Sequence, residues 1–188
     1  MPGSEYEHST ELKLLSRSDV LRQMHQITAD REQPFERRVT DLLALGRSYL
    51  DVEVGFLTEI DERTQLVVAA DGKHDLLQPG ESCPLSKAYC RKTIDKQQPL
   101  IVQHAAIEGW EGDAAYERFG LESYIGATVF LEDEVYGTFC FGDSEPRDRD
   151  RPFTQSEEAF VELMAGWVGY DLMQQADRAD RSAARPHR

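Results

Sequence analysis

The sequence has few lysines and a strong excess of acidic residues. Only five of its twenty-one basic residues are lysines, and the formal net charge is -14. A surface of this kind repels nucleic acids and anionic membranes, so neither is expected as a partner. The same composition suits a halophile, although GC-rich coding produces a lysine deficit by itself.

Long apolar runs and cysteine motifs are also absent. No stretch approaches the roughly 20 apolar residues that span a bilayer, and the first residues resemble no signal peptide, which predicts a cytoplasmic protein. The three cysteines, Cys83, Cys90 and Cys140, form an odd set without CxxC spacing. This pattern favours neither a disulfide scaffold nor a structural zinc site, and we expect reduced thiols and no metal.

The chain is long enough for one domain with terminal extensions, because 40% of its 188 residues are hydrophobic. We assign residues 1–17 to a polar extension, residues 18–176 to the domain with flanking helices, and residues 177–188 to a polar tail. Helical spacing predicts one helix capped by Ser18 and Asp19 and a second that starts at Pro34.

The middle of the chain alternates between strand and helix patterns. Two apolar runs around the turn at residues 61–63 predict a hairpin. A loop, a short helix, a strand and another short helix are expected to follow. Their predicted ranges are 54–60 and 65–70 for the hairpin strands, 86–94 for the first short helix, 99–102 for the strand and 113–119 for the second short helix.

Residues 123–147 predict a second hairpin, with Gly126 and Gly137 where a neighbouring ring or backbone approaches closely. A capping box of Thr154 and Glu157 opens the last helix, which the apolar period carries to about Ala176. Such a helix is roughly 33 Å long, more than one sheet face requires. Its surplus length can pair with a second subunit. The small residues Ala165, Gly166 and Gly169 would permit close approach of the second subunit. The alternative is that they pack on the protein's own sheet.

These elements predict an α+β fold: an antiparallel sheet of five or six strands, with terminal helices on one face and crossover segments on the other. The chain resembles the GAF domain of bacterial and archaeal signalling proteins over residues 34–175. The resemblance lies in LLALGRSYLDVEVGFLTEI, PLSKAYCRKTI, QPLIVQHA, YIGATVFLEDEVYGTFCFGD and PFTQSEEAFVELMAGWV. It implies a sensory domain that binds an unidentified small ligand or responds to a redox cue. It also implies a homodimer formed through the terminal helices and a signalling effector regulated in cis or in trans.

The family's known ligands find little support in this sequence. The residue set of the cyclic-nucleotide-binding members is missing. Bilin-binding members pair a cysteine with a histidine, but His104 lies on a different predicted element from Cys90. A haem ligand must lie in an apolar cavity, whereas the position of His104 at the end of a predicted strand favours its exposure to solvent. The cofactor therefore stays unknown.

The resemblance also implies one enzymatic alternative, free methionine-R-sulfoxide reductase, which would use Cys83 or Cys90. In those enzymes the essential cysteine lies in the loop before the second hairpin, and this chain has Phe119-Gly120-Leu121-Glu122 there. We therefore expect a non-enzymatic sensor without catalytic residues, and a ligand-free dimerisation module is the third alternative.

The candidate ligand-binding residues are mostly aromatic, because a pocket for an organic molecule needs apolar walls with a few hydroxyls. Arg91 and Lys92 follow Cys90 and would lower its pKa. Cys140 shares a strand face with Thr138 and Gly142, and buried thiols can also be ordinary core. The candidate residues are Phe56, Tyr89, Cys90, Trp110, Tyr116, Tyr124 and Cys140.

Overall fold

The computed structural model describes residues 15–96 and 98–184. Most of the predicted extension at residues 1–17 and the last four residues of the predicted tail lie outside this range. The helices are α1 Arg17–Ala29, α2 Phe35–Leu50, α3 Cys90–Lys96, α4 Ala114–Phe119 and α5 Gln155–Ala183, with 3-10 turns at Leu85–Lys87 and Ala105–Ile107.

Six strands form one antiparallel sheet in the order β3-β2-β1-β6-β5-β4. They are β1 Val54–Asp61, β2 Thr64–Gly72, β3 Ser82–Pro84, β4 Leu100–Val102, β5 Ser123–Leu131 and β6 Glu134–Asp143. Both predicted hairpins are present, and their last and first strands, β6 and β1, pair at the centre with Val54 opposite Gly142. The predicted fold is confirmed.

The sheet separates two cores. On one face, α1, α2 and α5 pack against side chains that include Leu57, Phe139 and Phe141. On the other face, the crossover segments cover side chains that include Phe56, Tyr124 and Cys140. Alternation along each strand produces this division, because neighbouring side chains point to opposite faces.

The helical face is tied together by a buried ion pair. Arg38 of α2 places Nη2 2.9 Å from Oδ2 of Asp171 in α5, and both side chains are largely shielded from water. The Arg38 guanidinium also lies 5.1 Å from the ring centre of Trp167. This pair fixes the position of α5 relative to α2. In the described ranges, no helix has the length and apolar character that a membrane crossing requires.

The predicted helix over residues 86–94 is wrong in its first half. Leu85–Lys87 form a 3-10 turn, Ala88 is extended, and α3 begins only at Cys90. Ala88, Tyr89 and Cys90 are all at most 3% exposed. Successive residues of a helix point about 100° apart, so a helix that packs on one face does not readily bury three in a row. The chain therefore breaks there.

Other boundaries also differ from the prediction. The cap of α1 is Ser16, whose Oγ accepts a hydrogen bond from the backbone N–H of Asp19 at 3.2 Å. The short strand β3, Ser82–Pro84, lies in a stretch for which the sequence predicts no element. The last helix continues past Ala176 to Ala183, and with 29 residues it is about 44 Å long. The final turns of α5 are exposed on all sides and their apolar residues do not recur at helical spacing. The predicted helix therefore ended too early.

Glycines mark the closest approaches between elements, as predicted for Gly126 and Gly137. A Cβ on Gly137 would overlap the backbone of Thr58, and one on Gly126 would overlap the Tyr124 side chain. A Cβ on Gly169 of α5 would overlap the carbonyl oxygen of Phe130, whereas Gly166 faces open space. Gly169 therefore packs on the protein's own sheet, and Gly166 does not.

We expect Gly169→Ala to lower the free energy of unfolding by about 1–3 kcal/mol, because α5 must move away from β5 to admit the methyl group. Gly166→Ala is the matched control and should raise it by up to about 1 kcal/mol, since alanine favours helix. Urea denaturation of both variants measures the difference. Equal effects of the two substitutions would contradict the close contact.

Candidate functional site

The crossover side of the sheet contains a buried group of polar side chains, which we call the thiol–hydroxyl cluster. Its members come from β1, α3, β5 and β6, and each is at most 1% exposed. They are Thr58, Cys90, Thr93, Tyr124, Thr138 and Cys140. Three of the predicted site residues, Cys90, Tyr124 and Cys140, therefore belong to this cluster.

Short hydrogen bonds connect the cluster. The Thr138 hydroxyl lies 2.7 Å from the Thr58 hydroxyl and 2.9 Å from Sγ of Cys90. The Tyr124 hydroxyl lies 2.9 Å from that of Thr93 and 3.0 Å from Sγ of Cys140. Because buried polar groups are costly without partners, these bonds fix the side chains that meet here.

The two thiols affect each other's ionisation. Burial opposes the thiolate of Cys90, but hydrogen bonds with Cys140, Thr138 and Tyr124 favour it, so the pKa of Cys90 lies below its usual value. Burial raises the pKa of the Cys140 thiol well above its usual value, and hydrogen bonding and charge repulsion from Cys90 raise it further. Cys90 is therefore the thiol of the pair that ionises first.

The predicted cause of this low pKa is wrong. Arg91 donates to the carbonyl oxygen of Ala88 and pairs with Asp113, and Lys92 lies over the ring of Trp110. Both basic side chains are engaged with groups other than Cys90. The pKa of Cys90 is lowered instead by hydrogen bonds with hydroxyl and thiol groups inside the core.

Aromatic rings close the space around the cluster. Tyr89 stacks on Tyr124 with ring centres 5.1 Å apart and lies 4.7 Å from Trp110. The Tyr89 hydroxyl donates to the carbonyl oxygen of Leu121 at 2.8 Å, and burial raises its pKa far above the usual value. Phe56 packs in the same core. Tyr116 is only partly buried, and its hydroxyl donates to the carboxylate of Glu122.

The space that remains among these side chains is a cavity of about 10 Å³, which Phe56, Tyr89 and Cys90 help to line. Pockets for organic ligands usually measure about 300–1,000 Å³. Six of the seven predicted site residues therefore meet in one core, but they fill it instead of lining an open pocket. Their ligand-binding role stays a prediction.

Several polar residues of the core were not predicted. Alternation along β6 placed Thr138 on the same strand face as Cys140. Nothing in the sequence indicated that Thr58 and Thr93 are buried, because threonine is common on protein surfaces. Gln65 follows a tight turn, where glutamine is normally exposed, yet it is 2% exposed. Cys83 lies opposite Gln65 in the β2–β3 pair, and burial raises the pKa of its thiol.

His104 stands apart from this core. It precedes the 3-10 turn at Ala105–Ile107, and its side chain is 36% exposed with Nε2 3.8 Å from a Glu122 oxygen. Cys90, in contrast, is buried in the cluster. His104 therefore does not lie in an apolar cavity of the kind that haem requires, and Cys90 is not exposed to a bilin.

The sequence matches the profile of the GAF domain over residues 34–172, which is most of the chain. The chain belongs to the GAF domain family. Among curated proteins it is similar to the diguanylate cyclase DgcP of Escherichia coli strain K12, with 25% identity over 151 residues. The match covers 78% of this chain and 42% of DgcP, so this GAF chain spans less than half of that relative.

Solved structures share the fold. The phycocyanobilin-bound GAF domain of a cyanobacterial phytochrome has a TM-score of 0.69 and 17% identity, covering 87% of this chain and 97% of that domain. Free methionine-R-sulfoxide reductase from Neisseria meningitidis, in complex with its substrate, has a TM-score of 0.66 and 13% identity. The match covers 94% of this chain and 99% of the reductase chain. At such low identity these likenesses concern the GAF fold alone.

We expect Tyr124→Phe to lower the free energy of unfolding by about 1–2 kcal/mol, because Thr93 and Cys140 each lose a buried hydrogen-bond partner. Tyr170→Phe is the matched control, since Tyr170 is 56% exposed, and it should change stability by less than about 0.5 kcal/mol. Guanidinium denaturation measures both. If Tyr124→Phe lowers the free energy of unfolding no more than the control does, the two hydrogen bonds make no net contribution to stability.

Proposed function

We propose that this GAF domain is a non-enzymatic sensor of a signalling protein, and that its cue is the redox state of Cys90 and Cys140. The observation that carries the proposal is that Cys90 and Cys140 belong to one buried, hydrogen-bonded cluster, in a core where an open ligand pocket was expected. Oxidation of neighbouring thiols to a disulfide needs no additional volume, whereas an organic ligand requires room that this core lacks. The closed core thus favours a redox cue over ligand binding.

The central strand offers a route from the cluster to the helices. Cys140 and Thr138 face the cluster, and the intervening Phe139 and the following Phe141 face the other core. A Cβ on Gly46 of α2 would meet the Phe141 ring and, at 3.2 Å, the Met164 side chain of α5. Movement of β6 at Cys140 therefore displaces groups that contact both α2 and α5.

The burial of the thiols supports a non-enzymatic role. Sulfoxide reduction requires a thiolate that an external substrate reaches, but Cys90 is 1% exposed and Cys140 is fully buried. Residues 119–122 contain no cysteine. Methionine sulfoxide has no path to either thiol without opening of the aromatic core.

The output would pass through α5. This helix extends beyond the sheet with 29 residues, and its last turns are exposed. The similarity to part of a diguanylate cyclase supports an effector of the signalling class, in cis or in trans. A change in helix position is a signal that such an effector can receive.

We expect a Cys90–Cys140 disulfide to loosen α5. The disulfide is set by refolding the full chain in a glutathione redox buffer, and peptide mass mapping verifies it. Hydrogen exchange of buried amides around Met164 should then rise about fivefold, as a local loss of about 1 kcal/mol implies. Cys83→Ser should keep this response and Cys140→Ser should abolish it. A verified disulfide with unchanged exchange in α5, or failure to form the disulfide, would overturn the proposed cue.

We also propose that two copies pair through α5. Leu163 and Tyr170 are 52% and 56% exposed, and Gly166 lies between them on the same stripe. A groove of about 410 Å³ opens beside Gly166 and Tyr170. A second copy would bring the same apolar stripe, and its side chains would have room at Gly166. Such an isologous contact is typical of homodimers.

Leu163→Glu should convert a dimer to a monomer, because it places a charge inside the paired stripe. Ala179→Glu makes the same change in charge on the opposite side of α5 and should leave the dimer intact. Analytical ultracentrifugation over a range of concentrations measures both. A wild-type chain that is monomeric at all concentrations would contradict the proposed pairing.

A further inference from the structure

Gln65 is a buried amide residue that lines the small cavity beside Cys90. The residue is 2% exposed, and its Oε1 has no hydrogen-bond partner within residues 15–96 and 98–184. Gln65 and Cys90 both line the cavity, together with Phe56, Leu77, Tyr89, Phe119 and Leu121. A buried acceptor without a partner is unfavourable, because it has given up its hydrogen bonds to water. The cavity therefore presents one strong acceptor and one thiol to any molecule that enters it.

The size of the cavity limits that molecule. A volume of about 10 Å³ accommodates a single water-sized molecule. The acceptor requires an O–H or N–H donor, and the remaining walls are mostly apolar rings and leucines. A water molecule meets these conditions, and so does a molecule of similar width that carries the same O–H donors.

We propose that the cavity admits hydrogen peroxide, which Gln65 orients for attack by Cys90, and that Cys140 completes the disulfide. This inference rests on the proposed redox function and names its oxidant. Hydrogen peroxide has two O–H groups, so it donates to Gln65 Oε1 in place of water. Bulky alkyl hydroperoxides do not fit the same space.

The reaction balances without any other reagent. The Cys90 sulfur attacks one peroxide oxygen, so an S–O bond forms and the O–O bond breaks. The departing hydroxide takes up the Cys90 thiol proton and leaves as water, and Cys90 becomes a sulfenic acid. The Cys140 sulfur then attacks the Cys90 sulfur, which forms the S–S bond and breaks the S–O bond. The Cys140 proton joins the second hydroxide, so two thiols are oxidised and one peroxide is reduced to two waters.

The positions of the two thiols fit these roles. Cys90 lines the cavity, and Cys140 does not. Cys140 lies in the adjoining thiol–hydroxyl cluster, where it and Cys90 shift each other's ionisation. The attacking thiol is therefore the one at the cavity wall, and the resolving thiol is its buried neighbour. The lower pKa of Cys90 agrees with this order.

The test measures the rate at which reduced full-length chain forms the Cys90–Cys140 disulfide in hydrogen peroxide, by timed alkylation and peptide mass mapping. Gln65→Leu removes the acceptor at similar volume and should slow the reaction about tenfold, the effect of one lost hydrogen bond of about 1.4 kcal/mol. Gln98→Leu alters an exposed glutamine outside the cavity and should react like wild type. Circular dichroism checks that each variant folds.

The second arm compares hydrogen peroxide with tert-butyl hydroperoxide on the wild-type chain, and only the smaller oxidant should react through the cavity. Equal rates for both oxidants, a wild-type rate in Gln65→Leu, oxidation at Cys83 alone or no disulfide in peroxide would each overturn the inference. The experiment in which refolding forms the disulfide uses no peroxide, so it tests the proposed redox function separately from the proposed oxidant. If that disulfide still loosens α5, the redox cue stands and only its oxidant is wrong.

Discussion

The alternation of side chains along β6 connects the two halves of the molecule. Phe139 and Phe141 enter the core beneath the helices, while Thr138 and Cys140 enter the thiol–hydroxyl cluster. Because β6 pairs with β1 on one side and β5 on the other, it moves little without disturbing both hairpins. The cluster and the core beneath α2 and α5 therefore share this strand, and the ring of Phe141 lies where a Cβ on Gly46 of α2 would be.

The cluster is also the part of the core that hydrophobicity alone does not explain. Apolar residues of similar volume would pack without the need for hydrogen bonds, so the six polar side chains must find partners among themselves. Gly126 contributes to this arrangement, because a Cβ there would overlap Tyr124 and lie 2.9 Å from Cys140 Sγ. The absence of a side chain at one position thus makes room for a hydroxyl and a thiol from two others.

The sequence predicted the sheet, both hairpins, and helices on one sheet face with crossover segments on the other, because alternation and helical period indicate which elements have a buried side. Alternation alone did not decide which face of β6 lies on the crossover side, where Cys140 is found. It also placed six of the seven candidate residues in one buried core. It did not predict that this core is closed, since closure depends on how rings such as Tyr89 and Trp110 stack across elements distant in sequence. The burial of Gln65 was missed for the same reason. The end of α5 was missed because an exposed polar helix has no apolar period.

A disulfide in this cluster would change more than the two sulfurs it joins. The bond removes both thiol protons, so neither sulfur can donate a hydrogen bond to Tyr124 or Thr138, and each sulfur remains only a weak acceptor. The hydroxyls keep their threonine partners, Thr93 for Tyr124 and Thr58 for Thr138, but their bonds to sulfur are weakened, so the cluster can no longer keep its present arrangement of bonds. Since the core is closely packed, it adjusts by a discrete rearrangement rather than by gradual deformation. Reduced and oxidised forms would then be two packings of one core, and the phenylalanines on the far side of β6 give α5 a different surface in each.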